Sequence, residues 1–122
     1  MSEIYYTNVI SIGPMVATFY ADKMIILFKS DAPEELKEFC IVHEKNELNG
    51  EIVVGDIFKI GEEEYKVTAV GSAVNQNLGN LGHITIRFNG SSEADLPGTL
   101  CLEDKVIKEI TEGEKLEIVR NK

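Results

Sequence analysis

The sequence predicts a small, mainly β fold, a single barrel of complex topology with two short helices in its crossovers. Three observations carry that prediction. Short runs rich in Val, Ile, Phe and Tyr recur along the 122 residues, and most end at a glycine or an Asn/Asp turn. Only two stretches carry helix signals. Apolar residues make up 43% of the chain, enough to fill one core without staples. With no Trp, that core rests on Ile, Val, Leu and five Phe. We read residues 1–122 as one domain.

The elements follow in chain order. Ile4 to Ile12 is β-branched and aromatic and reads as a strand, stopped by Gly13-Pro14. Met15 to Ala21 is open between helix and strand. Met24 to Phe28 lacks alternating polarity and suits a strand buried on both faces. Asp31 can cap a helix over Ala32 to Phe39, with Pro33 in its first turn and Glu34 and Glu35 near the positive end of its dipole. Phe39 to His43 forms the next strand, and Asn46 to Gly50 turns the chain. Gly55-Asp56 opens a hairpin: Ile57 to Ile60 runs out, Gly61 and three glutamates turn, and Tyr65 to Val70 returns. Ser72 can cap a helix whose Val74, Leu78 and Leu81 make one apolar stripe. Gly79 weakens that helix and Gly82 suits its C-terminal cap. From His83 to Phe88 the strand alternates, with Ile84, Ile86 and Phe88 on one face and His83, Thr85 and Arg87 on the other. Leu100 to Leu102, Lys105 to Ile110 and Lys115 to Arg120 complete the strand candidates.

The chain also echoes itself. Val9-Ile-Ser-Ile-Gly13-Pro-Met-Val16 parallels Val67-Thr-Ala-Val-Gly71-Ser-Ala-Val74. Continuing the match sets Phe28 on Phe88, Leu36 on Leu96, Cys40 on Cys101, His43 on Asp104 and Lys23 on His83. This suggests two related halves interleaved in one barrel.

Charge narrows the partners. Twelve Lys and Arg against 21 Asp and Glu give a net charge of -9, which disfavours nucleic acid. The longest apolar run, Met24 to Phe28, falls far short of the ~20 residues that a spanning helix needs. No basic segment followed by an apolar one opens the chain, so we expect no signal peptide, no membrane insertion and a cytoplasmic protein. Cys40 and Cys101 stand too far apart to make a disulfide framework or a zinc site, and we expect reduced, mostly buried thiols.

Two places carry chemistry. His43 closes an apolar strand where the chain turns outward. It is either a structural histidine bonded to a neighbouring loop or a nucleophile, since a neutral imidazole is a good one near pH 7. Cys40 lies three residues before it and would face the other side of the strand, which argues against a thiolate–imidazole pair. His83, Thr85 and Arg87 set an imidazole, a hydroxyl and a guanidinium on one strand face. That stripe is either solvated surface or a cradle for a phosphoryl group carried on His43. No Gly-x-Ser-x-Gly elbow and no metal-ligand spacing is present, and nothing in the reading calls for a metal or another cofactor.

The motifs together resemble one family. Cys40-Ile-Val-His43, Glu47-Leu-Asn-Gly50, Val67-Thr-Ala-Val-Gly71-Ser72, Leu81-Gly-His-Ile-Thr-Ile-Arg-Phe88 and Leu96-Pro-Gly-Thr99, in this order, are similar to the glucitol/sorbitol-specific enzyme IIA component of the bacterial phosphoenolpyruvate-dependent phosphotransferase system. The fit extends from residue 4 to about residue 118. The resemblance implies a β-barrel phosphocarrier. It would accept a phosphoryl group on His43 from the phosphocarrier protein HPr and pass it to a cysteine of the membrane-associated enzyme IIB, while the hexitol enters through enzyme IIC. It also implies Nε2 as the phosphorylated nitrogen. His83 is then a candidate for orienting His43 or binding phosphoryl oxygens, Arg87 and Thr85 for stabilising them, and Glu44 and Lys45 for the rim. The alternatives are a regulatory or ligand-binding barrel that has kept the fold without the carrier role, and a subunit that only scaffolds a transporter.

Overall fold

Eight strands close into a barrel in the order β1-β3-β2-β6-β7-β5-β4-β8. The structure, a computed structural model, describes residues 2–44 and 47–120. The strands are β1 (Ser2–Ile12), β2 (Met24–Lys29), β3 (Ile41–His43), β4 (Ile57–Ile60), β5 (Glu63–Val70), β6 (Ile84–Arg87), β7 (Thr99–Leu102) and β8 (Lys115–Arg120). Among the described residues each strand of the barrel has a neighbour on both sides, as closure requires. Inside it, Ile25, Leu27, Ile41, Ile60, Val67, Ile84, Ile86 and Leu100 are buried together with Phe58, Tyr65 and Phe88.

Among the described residues three short helices decorate the barrel, one more than expected. α1 (Val16–Tyr20) occupies the segment whose sequence left helix and strand open. α2 (Glu34–Lys37) starts later than expected, with Pro33 rather than Asp31 at its N-cap position. A proline pushes the residue before it out of helical geometry, so Ala32 cannot join the helix. α3 (Val74–Leu81) begins after Ala73, not at a Ser72 cap, and Val74 and Leu78 supply its buried face. The Ala73 N–H donates to the Pro97 carbonyl at 2.8 Å, which fixes where that helix starts. Gly82 ends it in the left-handed conformation, φ 62°, as a C-cap glycine does.

Lys105 to Ile110, read from sequence as a strand, is irregular. The closed barrel offers it no sheet edge, so hydroxyls take up its backbone instead. The Tyr65 hydroxyl donates to the Val106 carbonyl and accepts from the Lys108 N–H, each at 2.9 Å, and the Tyr20 hydroxyl accepts from the Ile110 N–H.

The two halves are related. β1 pairs antiparallel with β3, which runs parallel to β2; β5 pairs antiparallel with β7, which runs parallel to β6. β2 and β6 meet antiparallel, and so do β4 and β8, as a two-fold axis through both seams requires. The details repeat. Val9 opposes His43 as Val67 opposes Leu102, and an irregularity follows each pair. Leu27 opposes Ile41 as Ile86 opposes Leu100. The Gly13 N–H donates to the Cys40 carbonyl at 3.0 Å and the Gly71 N–H to the Thr99 carbonyl at 2.9 Å. A Cβ on Gly13 would stand 2.3 Å from the Glu38 carbonyl oxygen, and one on Gly71 2.2 Å from that of Pro97, so both positions exclude a side chain. Even the turns before β8 and β4 match: Val9 N–H bonds the Glu114 carbonyl where Val67 N–H bonds that of Asp56.

The register corrects the sequence match by one residue in β2 and by two in β3. Cys101 corresponds to Val42 rather than Cys40, Arg87 to Phe28, and Leu102 rather than Asp104 to His43. The arm carrying α3 is slightly longer than the arm carrying α1, and an alignment by eye absorbs that difference in the wrong place.

Candidate functional site

His43 ends β3 and pairs with Val9 of β1 on one side and Lys29 of β2 on the other. Parity along these strands sets the direction of its side chain. Leu27 and Ile41 are buried partners facing inward, so the next inward pair along the same two strands is Lys29 and His43. On β1, the inward residues Tyr5, Thr7 and Val9 are all buried. Thr7, His43 and Lys29 thus meet at one mouth of the barrel.

The C-terminal turn of α3 covers that mouth, and His43 is fully buried beneath it. The sequence placed this histidine where the chain reaches the surface; the Asn80–Gly82 turn lies over it instead. Its Nδ1 lies 3.1 Å from Thr7 Oγ1 and 2.9 Å from the Glu44 carbonyl oxygen, and the Thr7 hydroxyl donates to that same carbonyl at 2.7 Å. Its Nε2 lies 2.8 Å from the Gly82 carbonyl oxygen. Carbonyls only accept, so a neutral imidazole, with one N–H, satisfies one of the two. Burial lowers the imidazole pKa below its ordinary 6.5; the two carbonyls work against that shift, and the Lys29 charge adds to it.

Lys29 is the cation at this mouth. Its ammonium donates to the Asn80 carbonyl at 3.2 Å and lies 3.8 Å from an Asp31 carboxylate oxygen. Gly82 is packed between these two side chains, of Lys29 and His43: a Cβ there would stand 2.7 Å from Lys29 Cβ and 3.1 Å from His43 Cε1. The ring of Tyr5 stands edge-on to the imidazole, centroids 6.4 Å apart, and burial pushes its hydroxyl up to about 12. That hydroxyl is a buried side-chain polar atom with no hydrogen-bond partner among the described residues.

The stripe on β6 is elsewhere. Ile84 and Ile86 are buried, which turns His83, Thr85 and Arg87 to the outer face of the barrel, opposite to His43. Arg87 opposes Met24, at the far end of β2 from Lys29, roughly 16 Å away at ~3.3 Å per residue. Thr85 opposes Ile26. The structure therefore does not gather Arg87 and Thr85 around His43. His83 is nearer in chain but faces out: it stacks on Phe28, centroids 4.3 Å apart, and its Nδ1 lies 3.0 Å from the Leu27 carbonyl oxygen. It pins the segment leaving the Gly82 turn. Glu44 enters the site through its carbonyl, with its own residue exposed, and Lys45 lies outside the described residues. Cys40 is buried, and burial pushes its thiol pKa up, away from thiolate chemistry.

Thr7, Lys29 and Gly82 were missed in the sequence as site residues. A register between strands distant in sequence is what joins them to His43. Only the polarity of Thr7 and Lys29 at inward strand positions could have signalled them.

Comparison with known proteins agrees with this architecture. A family model described as the PTS system glucitol/sorbitol-specific IIA component matches residues 4–117. Two proteins named PTS system glucitol/sorbitol-specific EIIA component, from Shigella flexneri and Escherichia coli strain K12, are each 40% identical to the chain over 116 residues, covering 95% of it and 94% of their own length. The crystal structure of a PTS system IIA component from Enterococcus faecalis V583 superposes with a TM-score of 0.83 at 29% identity, covering 94% of this chain and 99% of that one. No helix among the described residues is long and apolar enough to cross a membrane. An eight-stranded barrel matched along nearly its whole length by these proteins places the chain in the glucitol/sorbitol-specific IIA component family of the phosphotransferase system.

Proposed function

We propose that this chain is a cytoplasmic phosphocarrier that receives a phosphoryl group on His43 from phospho-HPr and delivers it to a cysteine of the cognate enzyme IIB during glucitol/sorbitol uptake. The observation that carries the reading is the one-sided anchoring of His43. Nδ1 has two partners, the Thr7 hydroxyl and the Glu44 carbonyl, whereas Nε2 has only the carbonyl of a helix-ending turn. With the proton on Nδ1 and held by Glu44, the lone pair stands on Nε2. In the resting arrangement Nε2 stands 2.8 Å from the Gly82 carbonyl, so this reading requires the turn to part from the ring before phosphorus is attacked.

The chemistry then balances simply. The Nε2 lone pair attacks phosphorus as the donor's N–P bond breaks, and the bonding pair returns to the donor imidazole. The Nδ1 proton stays in place. In the second transfer a thiolate of the partner attacks phosphorus and the pair returns to Nε2. Positioning and charge stabilisation supply most of the rate in such transfers. His83 serves this reading from the outer face, by holding the segment that follows Gly82; Thr85 and Arg87 stand away from it.

The test is intact mass after incubation with phosphoenolpyruvate, enzyme I and HPr. Wild type should gain ~80 Da, acid-labile, and His43→Gln should not. No gain in wild type would favour a regulatory barrel. A gain that persists in His43→Gln would move the site to His83.

A further inference from the structure

We propose that Lys29 is the phosphoryl-binding cation of this site, trading the Asn80 carbonyl for phosphoryl oxygens when His43 is charged. The inference rests on the carrier reading above and names a residue for it. Nε2 of His43 and the ammonium of Lys29 are tied to the same short turn, one through Gly82 and the other through Asn80, at 2.8 and 3.2 Å. These two carbonyls belong to the end of α3, where a helix has unpaired acceptors and a partial negative charge. In the uncharged protein, then, two carbonyl oxygens occupy positions in front of a nucleophilic nitrogen and a cation. A phosphoryl group on Nε2 brings negatively charged oxygens to the same place.

The two occupants cannot share it. A phosphoryl dianion is repelled by the carbonyl end of a helix and attracted by an ammonium. Lys29 sits on the correct side of the ring, because Nε2 meets the Gly82 carbonyl and the Lys29 stem packs against the same Gly82. The ammonium has to swing from Asn80 and from the exposed Asp31 carboxylate, 3.8 Å away. The Lys29 backbone is held in β2 by its pairing with His43, so the root of the stem stays beside the nucleophile. On a chain of net charge -9, a local cation is needed to offset the added negative charge. Arg87, at the far end of the sheet, is not placed to do it. The exchange also displaces the turn bearing Leu81, which is 46% exposed, so the surface around the site differs between the charged and uncharged carrier.

The experiment uses the full chain as wild type, Lys29→Met and Lys29→Arg, charged by phosphoenolpyruvate, enzyme I and HPr. The readouts are the initial rate of phosphorylation, its salt dependence, the half-life of the phosphohistidine, and thermal unfolding of the uncharged protein. Lys29→Met should charge about tenfold to a hundredfold more slowly, with a flatter salt dependence, and its phosphohistidine should be shorter-lived. Lys29→Arg should stay within about threefold of wild type, since it keeps the charge. Backbone amide resonances of Leu81, Gly82 and His83 should shift on charging of wild type, which needs no variant to fold. Charging of folded Lys29→Met at the wild-type rate, loss of the same size in folded Lys29→Arg, or unmoved resonances in charged wild type would each overturn the assignment while leaving the carrier reading intact. If wild type takes up no phosphoryl group, the carrier reading itself falls and takes this one with it.

Discussion

Thr7, Lys29 and His43 in one half of the barrel stand where Tyr65, Phe88 and Leu102 stand in the other. The strand pairings make these positions equivalent: Thr7 opposes Leu116 as Tyr65 opposes Phe58, and Val9 opposes His43 as Val67 opposes Leu102. In the second half the mouth is sealed. Tyr65 and Phe88 pack edge to face with centroids 5.0 Å apart, and Leu102 is fully buried. In the first half a hydroxyl, an ammonium and an imidazole fill the same places. The backbone frame is shared; what differs is whether inward side chains at one end are apolar or polar. The barrel thus supplies a rigid frame twice and a polar mouth once, and on the proposed function that mouth is where the chemistry is grafted.

Four measurements would break or sharpen that comparison. The largest effects should fall on the shared frame. Gly13→Ala and Gly71→Ala each press a methyl group into a carbonyl, and each should cost about 2–4 kcal/mol in urea unfolding. Unequal costs would say the halves are not mechanically equivalent. Next comes the exchange of chemistry between halves. Leu102→His buries an imidazole with no built partners and should cost about 2–3 kcal/mol, whereas His43→Leu, which takes the residue of the sealed half, should cost less than ~1.5 kcal/mol. Equal costs would mean the first mouth is as tightly specified as the second.

The pH dependence should separate the halves more gently. His43 is held below its ordinary 6.5 by burial, so above that pH the imidazole is neutral in both states and stability is at its plateau. As pH falls below it, the unfolded chain takes up the proton first, and stability declines until the folded pKa is reached. Thermal melts at pH 7.5 and 5.5 should show a larger loss for wild type than for His43→Gln, and a parallel loss would refute the assignment. The smallest effect concerns two buried tyrosines. Tyr65→Phe breaks two hydrogen bonds to the 105–110 segment and should cost roughly 1–2 kcal/mol, while Tyr5→Phe removes a hydroxyl without a described partner and should be within ~0.5 kcal/mol of neutral. A cost for Tyr5→Phe equal to that of Tyr65→Phe would show a partner in solution.

Much of the frame was legible from residues that act locally. The alternation of Ile84 and Ile86 with Thr85 and Arg87 placed β6 and its faces, Gly82 ended α3, and Gly13 and Gly71 marked the repeat. Lys105 to Ile110 carries enough apolar residues to read as a strand, and only barrel closure denies it a partner. The site was half legible. His43 drew notice by type and position, but its burial depends on where the far end of α3 comes to rest. The stripe visible in sequence, Thr85 and Arg87, points to Arg87 as the cation. Lys29 joins His43 through a parallel pairing between β2 and β3, across α2, and no local pattern announces it.

The seam between β1 and β8 joins residues from opposite ends of the chain: Thr7 opposes Leu116, and Ser2 opposes Arg120. β8 also pairs with β4, so it is the last stave and borders both halves. The first half therefore cannot assemble from a nascent chain in order, because one of its strands is made after all of the second half. The second half, β4 to β7, is contiguous. Ring closure thus waits on β8 and joins distant parts of the chain, the kind of long-range pairing that slows folding.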